Sequence, residues 1–299
     1  MPACFFASDL HGRLDRYVTL LEAIRAEQPA AVFLGGDLLP PALFRLAATT
    51  DQADEFVRGF LAERLARLRE ELGPRYPAIF VILGNDDARA EEEAVLDVAE
   101  RGLWQYVHAR GTAWAGFNVF GYACVPPTPF MLKDWERYDV SRYVDPGCVP
   151  PDEGFRTVPV ADHDVTGGTI AGDLAGLAGE ADLARSIWLF HAPPHQTPLD
   201  RAALDGKMVD HAPVDVHVGS IAIRRFIERR QPLLTLHGHV HESARLTGEW
   251  HTRIGRTHAM SAAHDGPELA LVCFDPDDLD AATRSLRVPS SGAADAQRR

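Results

Sequence analysis

The 299 residues, 46% apolar and 24% charged, have an ordinary globular composition and enough length to bury a large core. With 43 acidic against 30 basic side chains the net charge is −13, which disfavours a partner held mainly through phosphate charge, nucleic acid above all. Four scattered cysteines without a Cys-x-x-Cys pair, no basic leader and no apolar run of bilayer length point to a reducing, cytoplasmic setting with no membrane partner.

In chain order, Ala3 to Ala7 reads as a buried strand ending in Ser8-Asp9-Leu10-His11-Gly12, where Asp9 and His11 alternate onto one face. Leu14, Tyr17, Val18, Leu21 and Ile24 then keep helical spacing until Pro29. Ala31 to Leu34 is the next strand, closed by Gly35-Gly36-Asp37, whose flexible glycines let an acid approach a ligand closely. Phe56 to Leu72 has the pattern of an amphipathic helix, broken by Gly73-Pro74. Ala78 to Leu83 forms a third strand that runs into Gly84-Asn85-Asp86-Asp87. Strands alternating with helices predict βαβ units, in which polar clusters after successive strands share one edge of the sheet.

Glu91 to Arg101 is predicted helical, and Trp114 to Tyr122 a hairpin turning near Gly116. Residues 124–168 read as an insertion: seven of the 21 prolines lie between Pro126 and Pro159, and no periodic pattern survives there. Phe130, Trp135, Tyr138, Tyr143 and Phe155 make it too aromatic for a linker, which leaves open an ordered lid or a subunit contact, and hence a homo-oligomer. Lys133, Trp135 and Arg137, with Asp134, are its candidates for contact with substrate.

Gly167 to Gly179 is weakly helical, and Ser186 to Phe190 is a buried strand that delivers His191 and then Pro193-Pro194-His195. Shortly after His217, Ser220 can cap a helix whose apolar positions are Ile223, Phe226 and Ile227. Leu233 to Leu236 is a strand emptying into His237-Gly238-His239-Val240-His241, where an extended chain turns His239 and His241 the same way. Thr257 to Met260 and Leu269 to Phe274 are the last predicted strands. Residues 286–299 lack core material and are expected to fray, which leaves a single domain over 1–285.

Taken singly, Asp-x-His, Gly-Asp, Gly-Asn and a lone histidine are weak signals. Taken in order, each after an apolar strand, Asp9, His11, Asp37, Asn85, His191, His239 and His241 supply two acids, an amide and four imidazoles. That set suffices for two metal ions sharing a ligand. The ordered pattern, within a stretch from about residue 3 to about residue 275, resembles the calcineurin-like metallophosphoesterase family. The resemblance implies an α/β fold of two facing mixed β-sheets flanked by helices. It places Asp9, His11 and His241 on one metal, Asn85, His191 and His239 on the other, and Asp37 between them. Two divalent or trivalent ions follow, and the mixed oxygen and nitrogen donors suit Mn, Fe or Zn. The implied reaction is hydrolysis of a small phosphodiester or activated phosphomonoester by in-line attack of a metal-bound hydroxide.

Two departures from the family pattern stand out. Many members carry Gly-Asn-His followed by an acid, the histidine aiding the leaving group; here Asp86 takes that place, followed by Asp87. A carboxylate there donates only while protonated, and two nearby cations favour its ionised form. His195, on a stiff Pro-Pro turn, and His217 are the candidate substitutes. Without a strong general acid, esters with good leaving groups should be preferred. Ser261-Ala262-Ala263 also stands where relatives often have Asn-Pro-Gly, so the shape of that loop is not carried over. The competing reading is a metal-binding scaffold of the same fold that binds a protein partner without catalysis.

Overall fold

The computed structural model describes residues 3–41 and 55–288. The first half runs β1 (Cys4–Ala7), α1 (Leu14–Glu27), β2 (Ala31–Gly35), a wide helical turn Glu55–Leu61 leading into α2 (Ala62–Leu72), β3 (Ala78–Ile82), α3 (Glu92–Glu100) and β4 (Gln105–Tyr106). It continues through β5 (Arg110–Trp114), β6 (Phe117–Tyr122), α4 (Asp162–Gly167), α5 (Ile170–Ala178), β7 (Ser186–Phe190), β8 (Met208–Val209) and β9 (Ala212–Pro213). The chain then forms α6 (Ile221–Arg230), β10 (Leu234–His237), α7 (Ser243–Thr247), β11 (His251–Ile254), β12 (Thr257–Ser261), β13 (Leu269–Asp275) and β14 (Asp278–Arg287).

Two six-stranded mixed sheets result, ordered β14-β13-β1-β2-β3-β4 and β11-β12-β10-β7-β6-β5. Parallel pairing of β1, β2 and β3 in one sheet, and of β6, β7 and β10 in the other, delivers the ends of these strands to common edges. The sheets face each other through aromatic side chains. Phe33 and Phe80 sit side by side on β2 and β3, and Trp114 of the other sheet meets both edge-on at 6.2 and 6.1 Å. On the far face of β7, Trp188 stacks on Phe120 at 4.4 Å and meets Phe226 of α6 at 4.6 Å. Because β7 is buried on both faces it reads as an unbroken apolar run, not an alternating one.

Local chemistry sets the boundaries. The β5–β6 hairpin turns through Ala115 and Gly116 at φ 48° and 82°, the left-handed pair that matches the twist of the two strands. Ser220 caps α6 by accepting from the Ile223 N–H at 3.0 Å, and Gln231 ends that helix in the left-handed region immediately before Pro232.

One expectation needs correction, and two strands went unread. Leu286 and Arg287 do not fray; they close β14 opposite Ala270 and Leu269. The remainder of the predicted tail, from 289 on, lies outside the described residues. Strands β11 and β14 escape the sequence reading because His-Thr-Arg-Ile and a strand rich in Asp, Ala, Thr and Arg show no apolar alternation. Among the described residues no helix is long and apolar enough to cross a membrane.

Candidate metal centre

The seven candidate ligands meet where β1, β2, β3, β7 and β10 end. Ligand atoms of Asp9, His11, Asp37 and His241 lie within 4.8 Å of one another, and so do those of Asp37, His191 and His239. Asp37 belongs to both groups. Its Oδ2 is 3.2 Å from His191 Nε2 and 4.0 Å from His11 Nε2. On the first side His11 Nε2 and His241 Nε2 are 3.1 Å apart, and Asp9 Oδ1 is 3.3 Å from His241 Nε2. On the second, Asn85 Oδ1 is 3.0 Å from His191 Nε2. His191 Nδ1 is directed to the Gly35 carbonyl at 2.9 Å, which fixes the ring with Nε2 toward the cluster.

The backbone is bent to bring these groups together. Asp9, His11, Asp37 and His239 all have left-handed backbone, with φ of 57°, 48°, 50° and 73°. Each costs on the order of 1–2 kcal/mol in a residue with a Cβ, which must be offset by the surrounding fold. Neighbouring loops supply the offset. The Asp9 N–H donates to the Gly36 carbonyl, the His11 N–H to the Asp37 carbonyl, and the His239 N–H to Asp9 Oδ1, at 2.8–3.0 Å. Glycine is required beside them: a Cβ at Gly84 would stand 2.4 Å from Asp37 Oδ1 and 2.7 Å from His191 Nε2.

Electrostatics favour positive charge here. Burial opposes ionisation of His191, yet Asp37 and then Asp9 hold its imidazolium up to about 10. At His11 burial is likewise overcome, by Asp86, Asp37 and Asp9, which raise it to about 9. Burial pushes the Asp37 carboxyl up, but His191 and His11 hold it down to about 2. His239 goes the other way, pushed down to about 3 by burial and by His191. Its Nδ1 is buried and, among the described residues, has no hydrogen-bond partner. An orphaned imidazole nitrogen among carboxylates and three further imidazoles is what a cation would satisfy, so the donor set fits two metal ions.

The other candidates separate. His237 is not available as a ligand, because its two ring nitrogens meet the Ala192 carbonyl at 2.9 Å and Thr235 Oγ1 at 2.8 Å. Asp86 is half-exposed, with Oδ2 3.4 Å from His11 Nδ1. His195 and His217 line one cavity together with His239. His195 Nε2 stands 3.5 Å from Asp215, and His217 Nδ1 donates to Asp200 at 2.8 Å.

The expected substrate contacts in the insertion have other partners in the fold. Lys133 is fully buried, with Nζ 2.6 Å from Glu136 and 3.0 Å from the Thr128 carbonyl, and Trp135 is buried with Nε1 on the Asp87 carbonyl. Asp134 accepts from Thr157 and from the Arg89 N–H. Arg137 pairs with Asp173 at 2.9 Å and lines a different cavity, beside Arg89 and Arg156.

Several supporting residues went unread in the sequence. Asp87 is fully buried and accepts from the N–H groups of Leu38, Leu39 and Gly84, tying the loop of Asn85 to that of Asp37. Burial, and then Asp37, push its carboxyl up to about 7. Arg16, on α1, donates to the carbonyls of Asp9 and Gly266. Its only signal was an arginine next to the buried helix position Tyr17. Asp200 is buried beneath Gln196, Thr197 and Gly219 N–H groups, and nothing local marked it.

The sequence model of the calcineurin-like phosphoesterases matches residues 4–243. A search of curated proteins finds no significant match. Among solved structures, TT1561 of Thermus thermophilus superposes with a TM-score of 0.58 at 16% identity, over 97% of this chain and 99% of its own. A dimetal phosphatase from Danio rerio gives 0.51 at 13% identity over 96% of each chain. The phosphopantetheinyl hydrolase of Mycobacterium tuberculosis gives 0.50 at 14% identity, over 88% of this chain and 90% of its own. These likenesses establish a shared fold. With the family match spanning most of the sequence, the chain belongs to the calcineurin-like phosphoesterases, hydrolases of phosphoric ester bonds.

Proposed function

We propose that this protein is a dinuclear metal-dependent phosphoesterase that hydrolyses small phosphodiesters or activated phosphomonoesters. The observation that carries the reading is the position of Asp37, whose carboxylate belongs to both ligand groups. Asp9, His11 and His241 would hold one ion, and Asn85, His191 and His239 the other. Bound there, two cations supply charge to meet the phosphoryl oxygens and lower the pKa of water for in-line attack. The presence of all seven donors supports catalysis over a scaffold role.

The chain's own residues suggest where the leaving group finds its proton. Asp86 lies against His11, with Oδ2 3.4 Å from its Nδ1, and so is engaged with a candidate ligand. His217 is better suited: buried Asp200 takes its Nδ1 hydrogen, which fixes the ring and leaves Nε2 available beside the cavity that His239 also lines. His195 is held more loosely, by half-exposed Asp215.

Metal titration followed by a panel of chromogenic and alkyl phosphate mono- and diesters tests the reading. Nitrophenyl diesters should be turned over faster than simple alkyl phosphates, and His217→Gln should slow the poor leaving groups more than the good ones. Absence of hydrolysis with Mn, Fe or Zn bound would contradict the reading. An equal effect of His217→Gln on both kinds of ester would remove only the proton-donor role.

A further inference from the structure

The cavity shared by His239, His195 and His217 has a volume of about 630 Å³, the size of a site for a drug-sized ligand. Part of the lining comes from the insertion, through Phe130 and Tyr143, and part from the β8–β9 segment, through Met208 and Val209. Phe130, Tyr143 and Met208 are 62%, 69% and 56% exposed, an outlay of apolar surface that the fold itself does not bury. His239, one of the seven candidate ligands, and Val240 line the same cavity, which therefore reaches the edge of the metal centre.

Its charges exclude one class of ligand. Among the described residues Lys207 is the only lysine or arginine lining it, against Asp139, Asp145, Asp215 and Glu242. Asp139 is spent on Ser220 Oγ and on the Ile221 and Ala222 N–H groups, and Glu242 accepts from the Ala203 N–H. Asp215 accepts from the His217 N–H and stands 3.5 Å from His195 Nε2, and Asp145 adds a further carboxylate, so among the described residues no arginine of the lining answers a second phosphate.

We propose that this cavity holds the non-phosphoryl part of the substrate, and that this part is an apolar chain or ring carrying no second anionic group. Nucleoside polyphosphates and other multiply anionic esters are thereby disfavoured. The assignment rests on the phosphoesterase reading, since it assumes the phosphoryl group sits at the candidate ligands that the cavity reaches. Each methylene moved fully out of water is worth roughly fourfold in affinity, so even partial burial of a chain should be easy to detect.

Calorimetric titration of the Mn-loaded protein with methylphosphonate, octylphosphonate and octane-1,8-diphosphonate reads this without turnover. Octylphosphonate should bind at least about tenfold more tightly than methylphosphonate, with a more negative heat-capacity change. The diphosphonate, of equal chain length, should bind more weakly than octylphosphonate. The surface double variant Phe130→Ser/Met208→Ser should pull the octyl-to-methyl ratio toward one, and Val209→Asp should do the same. Equal affinity for the methyl and octyl ligands, or tighter binding of the diphosphonate, overturns the proposal and leaves phosphoryl recognition standing. If no phosphonate binds at millimolar concentration, the proposal and the reading beneath it both fall.

Discussion

The strand-end cluster and the insertion at 124–168 both bury polar groups, yet they are built by opposite means. At the cluster, five strands of ordinary geometry deliver ligands to one place, and the strain is confined to four left-handed residues. The insertion has hardly any regular structure. It is held by single polar anchors: Lys133 to Glu136, Asp134 to Thr157 and Arg89, Trp135 to the Asp87 carbonyl, and Asp139 to the first turn of α6. In the cluster charge is gathered for a ligand, whereas in the insertion charge is consumed to hold a loop in place. A basic, aromatic segment near a metal site here spends its basic and acidic side chains on its own packing.

If that division is right, substitutions in the two regions should fail in different ways. The largest effect is expected at the shared ligand. Losing a residue that merely orients a metal ligand costs about 10–100-fold, so Asp37→Asn should lower kcat/KM roughly a thousandfold or more while far-ultraviolet circular dichroism stays unchanged. His239→Ala should behave alike, and chelation should reproduce both. Retained hydrolysis in both variants would break the comparison on the cluster side.

The next effect falls on stability. Lys133→Met leaves Glu136 buried without its partner and should cost about 3–5 kcal/mol in urea unfolding, whereas Lys133→Met/Glu136→Leu should recover most of the loss. A change in KM for small phosphoesters without loss of stability would restore Lys133 to the substrate. A smaller cost, about 1–2 kcal/mol, is expected for Asp139→Ala, which leaves the Ile221 and Ala222 N–H groups and Ser220 Oγ without this acceptor while the Ser220 cap on Ile223 remains.

The last effect is a dependence on pH that is negligible near neutrality and grows on acidification. His108, whose ring packs edge-on against Trp135 at 5.0 Å, accepts the Ala123 N–H on Nδ1 and is pushed down to about 3, by burial and then by Arg89, Arg110 and Arg137. Below an ordinary histidine pKa of about 6.5 the unfolded chain takes up the proton that the folded chain refuses. Stability should therefore fall as pH is lowered from there toward 3, and His108→Gln should flatten that slope. An unchanged slope in the variant would show that His108 contributes nothing to it.

The same contrast explains what could be read from the sequence. Asp9-x-His11, Gly36-Asp37, Gly84-Asn85 and Gly238-His239-x-His241 are local: each places its ligand by a strand end and an adjacent glycine, so one short window carries both geometry and chemistry. The insertion has no such windows. Asp139 caps a helix 82 residues further on, and Trp135 reaches a carbonyl 48 residues back. A lysine three residues from a glutamate looks in sequence like any solvated pair, and only burial reveals it as a structural lock. Asp200 and Asp87 were illegible for the same reason, since most of their partners are backbone N–H groups that leave no trace in residue type. β14 was missed because an edge strand buried on one side by a single neighbour needs little apolar patterning.

Elemental analysis of the folded protein after equilibrium dialysis against Mn, Fe or Zn tests the central claim most directly. Two ions per chain in the wild type, falling to one or none in Asp37→Asn, is the result this account predicts. A well-folded wild-type chain that retains less than one ion of any of these metals would contradict it.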